Sequence, residues 1–185
     1  MKKLFFPLVF LLIFFYVSLS SDTIYASIDD SVAMATPPAT VEYNLAYPGL
    51  LPDNPLHFLK AARDKIVSIL INDPIKKAEF NLLTSDKRIY AAEFLADKGE
   101  DELAISTLSK SNNYLDDSIN AVIEAKKTRK DVDTVLHNQE AAISKHLEVL
   151  GIIKKEVNKK YAQEVSVEEK RLNKFEKTVK NTESK

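Results

Sequence analysis

The sequence predicts an all-α fold: an up-and-down antiparallel helical bundle of four main helices, with a long coiled-coil-like fourth helix and a short C-terminal helix. Three observations predict it. Only three of the 185 residues are glycine, while the strong helix formers Ala, Leu, Glu and Lys are abundant. Apolar residues recur at spacings of three, four and seven, the helical periods. The segments between these stripes are a few residues long, and connections that short force consecutive helices to lie antiparallel.

The chain opens with Met1-Lys2-Lys3 and then a nearly unbroken apolar run from Leu4 to Leu19. That is the charged start and apolar middle of an export signal. A helix buried in a soluble core would carry a polar face, and this run has none. Residues 1–26 are therefore assigned as a signal peptide cleaved after Ala26, with cuts after Ser20 or Ala35 as alternatives. Retention as a membrane anchor is also open, because the run is only slightly shorter than the roughly twenty residues that span a bilayer. In both cases the two lysines hold the start of the chain in the cytoplasm, and the remainder is expected outside it.

Residues 27–48 read as a flexible linker, since Thr36-Pro37-Pro38-Ala39-Thr40 has no periodic pattern and cannot sit inside a helix. The bundle domain is placed at 49–163. Its first helix is expected to begin near Asp53-Asn54-Pro55, where a capping side chain precedes a proline. Leu56, Leu59, Ile66 and Leu70 then form one stripe. Asn72-Asp73-Pro74 repeats the device and opens a second helix running to about Lys98, with Ile75, Ala78, Leu82, Ile89 and Ala92 on one face. Gly99 suits the left-handed backbone that ends a helix. Glu100, Asp101 and Glu102 then favour the positive end of the next helix dipole. The third helix carries Leu108, Leu115, Ile119 and Val122 up to a break around 128–131.

The fourth helix has the most regular pattern. Leu136, Ile143, Leu150 and Val157 recur every seven residues, interleaved with Val132, Gln139, His146 and Ile153. Such a seam either packs in the bundle or projects as an arm. Ser166-Val167-Glu168-Glu169 fits a capping box and predicts a short last helix carrying Leu172, Phe175 and Val179. Segment 164–185 is thus a basic C-terminal helix with a frayed end at Asn181–Lys185.

Composition removes several functions. Cysteine is absent, so no disulfide, zinc thiolate, catalytic cysteine or N-terminal lipid attachment through cysteine is possible. Phosphate loops and nucleophile elbows need several close glycines, which this chain lacks. The three histidines, His57, His137 and His146, form no His-Glu-x-x-His or Glu-x-x-His set, and the helix-face pair His137 and Glu140 would hold a metal only weakly. Acidic clusters such as Asp116-Asp117 point in different directions on a helix and read as solvated surface. No catalytic residue, metal ligand or cofactor is assigned, and the chain is read as a non-enzyme.

Charge is uneven. Residues 151–185 hold ten Lys/Arg against six Asp/Glu, and residues 27–150 hold fourteen against twenty. An acidic body argues against nucleic acid. The basic end could meet a membrane or an anionic wall polymer, or pair with the acidic body.

The segment Leu51–Lys60 (LPDNPLHFLK), with Asp73-Pro74-Ile75-Lys76-Lys77-Ala78-Glu79 and Asp86-Lys87-Arg88, resembles the opening of domain-of-unknown-function family 5667. Pro52, Asp53, Pro55, Leu56, Leu59, Lys60, Asp73, Lys77, Ala78 and Arg88 carry the likeness, over roughly residues 49–125. His57 stands where the family has an aromatic, usually tyrosine, so no role of that ring transfers. The resemblance implies an exported or membrane-anchored bacterial helical domain linked to envelope signalling, and it brings no catalytic residues with it.

A candidate interaction surface follows. Tyr43, Tyr47 and Phe58 cluster near the linker–domain junction, and Gln139 and His146 soften the heptad seam. The expected function is that of an extracytoplasmic cell-envelope module that binds a protein partner or a second copy of itself. The alternatives are the ectodomain of a membrane-anchored regulator or sensor, and a helical hydrolase of envelope material.

Overall fold

The computed structural model describes residues 42–184, and the stretch read as an export signal and most of the one read as a linker lie outside them. Helices α1 (His57–Leu70), α2 (Pro74–Asp97), α3 (Asp101–Lys127), α4 (Asp133–Glu156) and α5 (Ala162–Glu183) follow one another, with a single 3₁₀ turn at Lys159–Tyr161 before α5. No strand occurs among the described residues. None of the described helices is long and apolar enough to cross a membrane.

Local chemistry sets the boundaries. The Asp73 carboxylate accepts from the amides of Ile75 (2.9 Å) and Lys76 (3.1 Å), and Pro74 fills the first turn. The first helix starts later than expected. Asn54 folds an entry turn by accepting from Leu56 N (2.9 Å), while Asp53 turns away to Lys98 Nζ (2.8 Å). Gly99 (φ +75°) ends α2 in a Schellman turn, with Gly99 N donating to Ala96 O and Glu100 N to Leu95 O, both 2.9 Å. Arg129 makes the same turn after α3 at φ +58°, a conformation that costs a side-chain-bearing residue about 1–2 kcal/mol.

The core is built by α2 to α5. α2 packs against α3 and α4, α5 packs against α4 and α3, and consecutive α3 and α4 touch only slightly. Ile89, Leu95, Leu108, Leu115, Ile143, Leu150, Ile153 and Leu172 are its large, fully buried side chains. α4 therefore packs in the bundle and does not project as an arm. α5 is also longer than the capping box suggested: it begins at Ala162, and Val165, Leu172, Phe175 and Val179 all enter the shared core. Its stripe starts one residue before Ser166, so tertiary burial extends the helix past the local signal. The tail expected to fray stays helical to Glu183, with Lys126 Nζ donating to Thr182 O.

Serines let α2 and α3 approach closely. Ser85 Oγ donates to Ser111 O (2.9 Å), and Ser111 Oγ returns the bond to Ser85 O (2.8 Å). Both residues are fully buried, so these reciprocal bonds satisfy hydroxyls that would otherwise be costly inside.

Candidate functional site

The residues singled out above fall into two groups. Gln139 and His146 are each 0 % exposed and cannot belong to an interaction surface. This corrects the sequence reading: the seam they interrupt faces the bundle core, where each makes one side-chain bond while Gln139 Oε1 and His146 Nδ1 have no partner. Gln139 Nε2 donates to Ser118 Oγ (2.8 Å), which itself donates to Ala78 O (2.7 Å). His146 Nε2 lies 2.8 Å from Asp86 Oδ1.

Asp86 also receives a bond from outside the helices. The Tyr43 hydroxyl donates to its second oxygen (2.7 Å), while Leu45 packs on the core and Pro48 is buried. Burial and the neighbouring Asp86 charge push the Tyr43 phenol far above its ordinary value, so it stays a donor. The end of the stretch read as flexible linker is thus a strap latched to the core. Sequence reasoning missed Asp86. Its only signal is a charged residue on the apolar side of a helix, three positions before buried Ile89. The Tyr43–Asp86–His146 chain joins the half-buried strap to buried side chains of α2 and α4, which makes it a structural tie.

Tyr47 and Phe58 behave otherwise, at 73 % and 64 % exposure. Phe58 belongs to a larger feature. Helix α1 has no buried residue at all. Its half-buried positions are His57, Lys60, Ala61, Asp64 and Ser68, spaced three or four apart, so a mostly polar face meets the bundle. Leu56, Phe58, Leu59, Ile66, Ile69 and Leu70 lie on the other side, each more than half exposed. The stripe Leu56, Leu59, Ile66 and Leu70 was the expected core face, and the structure turns it to solvent. The regular three-and-four spacing of the polar residues was the signal that could have revealed this.

Beside α1 runs a groove of about 1680 Å³, open mouth included, between the end of this helix and α3. Ile69 and Ile71 supply its apolar wall, with Tyr114, Asp117 and Asn120 opposite. The basic α5 is engaged in part: Arg171 binds Glu168 (3.0 Å) and Asn113 (2.7 Å), and Lys154 on α4 reaches Glu169 (2.9 Å), while exposed Lys174 and Lys177 make no ion pair among the described residues. Buried Glu168 accepts from Asn112 Nδ2 as well (2.8 Å), tying α5 to α3. Among the described residues no cluster of three potential metal-binding side chains occurs, and His137 is exposed.

These features define a helical bundle with polar ties between its helices and, among the described residues, an outward apolar face on α1. The chain matches the family model described as "Domain of unknown function (DUF5667)" over residues 49–182, and it belongs to that family. The match extends beyond the segment that carried the resemblance and takes in α4 and nearly all of α5. No curated protein and no solved structure matches the chain.

Proposed function

We propose that the protein is a non-catalytic, extracytoplasmic interaction module of the cell envelope, which captures an amphipathic helical segment of a protein partner along α1 and the adjoining groove. The observation that carries this reading is the inverted amphipathicity of α1. Six large apolar side chains held in water are unfavourable by roughly 25 cal/mol for each Å² left uncovered, and a partner's apolar stripe would cover them. The groove favours a peptide helix over a flat bilayer, because it pairs an apolar wall with a polar one, as a two-faced helix requires. Export rests on the Lys2-Lys3 start and the apolar run that follows. The four long helices are read here as the up-and-down bundle that their short connections favour.

The test is photo-crosslinking in living cells from Ile66 and Leu70, with Val167 on α5 as the control position. A discrete adduct from the two α1 positions, lost in the Ile66→Glu/Leu70→Glu variant and absent from Val167, is expected. Adducts only with a second copy of the chain, or only with lipid, would replace this reading.

The Tyr43 strap favours one other arrangement. If the signal is retained as an anchor, the tether enters the bundle at Asp86, so a pull on the linker would reach the core directly. N-terminal sequencing of the native protein decides this: a start near residue 27 in the soluble fraction eliminates the anchored regulator.

A further inference from the structure

Between α1, α2 and α3 lies a recess of about 350 Å³, counting its mouth, with room at its centre for about one water-sized group. Its lining is strongly cationic. Lys60 and His57 come from α1, Lys87 and Arg88 from α2, and Asp64 is the sole carboxylate. Asp64 is already engaged, accepting from Arg63 Nη2 at 2.8 Å. Among the described residues, neither Lys87 nor Arg88 pairs with any carboxylate. The Arg88 guanidinium lies over the Tyr114 ring, 4.9 Å from its centroid, a contact that leaves its in-plane donors unused.

Two buried polar atoms here have no partner: Arg88 Nε, and the hydroxyl of Thr107, which is 1 % exposed and lines the recess. Buried donors in native folds are nearly always satisfied, so a pair of orphans beside a cationic cavity points to a missing acceptor. Part of the cation cluster has a structural role, since Lys60 donates to Pro48 O and Leu50 O and pins the turn before α1. Lys87 and Arg88 make no such bond among the described residues, although Arg88 rests on the Tyr114 ring.

We propose that this recess binds a small oxyanion group, a phosphate or a carboxylate, by seating one oxygen against Arg88 Nε and the Thr107 hydroxyl. The remaining negative charge stays at the mouth near Lys60, Lys87 and His57. The anion offsets a repulsion already present in the fold. Burial, reinforced by the charges of Lys60, Arg88 and Lys110, holds the His57 imidazole below its ordinary value, with Asp64 opposing. Burial likewise lowers Lys60, with Lys87, Arg88 and Arg63 acting in the same direction and Asp64 against. The site is independent of the outward face of α1 and stands whether or not a partner docks there.

The experiment uses the full-length protein in non-ionic detergent, titrated with sodium phosphate, sodium acetate or sodium chloride at constant ionic strength. The His57 ring is followed by NMR and the melting temperature is recorded alongside. With only three histidines in the chain, the His57 signal is assigned by comparison with His57→Gln. Phosphate or acetate should raise the His57 pKa and the melting temperature at concentrations where chloride does neither. Arg88→Lys, which keeps the charge and removes Nε, should weaken the response about tenfold. Thr107→Val, which keeps the shape, guards against a folding artefact and should weaken it as well. Vesicles carrying phosphatidic acid distinguish a lipid phosphate from a free one: a response to vesicles alone assigns the site to headgroups. Equal effects of all three salts with no response to vesicles, or responses unchanged in both variants, would overturn the proposal.

Discussion

Helices α1 and α5 stand near the two ends of the described fold, and both are amphipathic, yet they use their apolar faces in opposite ways. α5 turns Val165, Leu172, Phe175 and Val179 into the core and adds a buried Glu168 bonded to Asn112 and Arg171. α1 turns its polar residues to the bundle and leaves Leu56, Phe58, Leu59, Ile66, Ile69 and Leu70 outside. Amphipathic spacing therefore shows that a face exists to be covered, and says nothing of what covers it. For α5 the cover is the same chain. For α1 it is the proposed partner.

The largest expected effect tests the contrast directly. Leu172→Ala should cost about 2–5 kcal/mol in urea unfolding, because it opens a cavity in a fully buried site. Leu70→Ala should stay within about 0.5 kcal/mol, as surface changes do. A core-sized loss at Leu70 would show that α1 packs by its apolar face after all. Next comes the polar tie of α5. Asn112→Ala removes a donor from buried Glu168 and should cost about 1–3 kcal/mol by the same measurement, with no counterpart on α1.

Smaller changes can stabilise the bundle without touching α1. A Cβ at Gly151 would meet nothing within 4 Å, so Gly151→Ala should add about 1 kcal/mol through helix propensity. Arg129→Gly should add about 1 kcal/mol by relieving the left-handed backbone after α3. Hydrogen exchange should slow in α3 and α4 and remain unchanged in α1, if α1 opens on its own.

The smallest effect is in pH. His57, on the inner face of α1, has its pKa lowered on folding, so its contribution is present above the imidazole's ordinary value of 6.5 and is lost as pH falls through the folded value. Protection factors in α1, with the intrinsic pH dependence of exchange divided out, should therefore fall towards acid, and His57→Gln should flatten that response. On α5 the sign reverses. Glu176, 2.7 Å from Lys180, raises that lysine, so the pair's contribution is present below 10.5 and fades as pH rises through the folded value. A fall in the exchange protection factors at the end of α5 towards alkali would complete the contrast.

Much of this architecture is legible in the residues alone. The paired cap and proline at Asp73-Pro74 and the glycine at position 99 mark helix ends, because a side-chain acceptor, a missing N–H and a left-handed backbone are local properties. The seam from Val132 to Val157 is equally plain, and its members Leu136, Gln139, Ile143, His146, Leu150 and Ile153 are all buried as one stripe. What the spacing could not tell is which way a stripe faces. For that same reason, periodicity alone puts the seam's two polar members on a surface and the stripe of α1 in the core.

The sequence by itself determined that the chain is helical, where most helices begin and end, and that no cysteine chemistry is available to it. These follow from backbone propensity, capping and composition, which act over a few residues. Only the tertiary structure decided that Asp86 joins the Tyr43 strap to His146, that α5 completes the core, that the apolar side of α1 is left to water and that the unpartnered atoms of Arg88 and Thr107 line one recess. Each of these depends on groups tens of residues apart meeting at a few ångströms, and periodicity along a single helix carries no record of its neighbours.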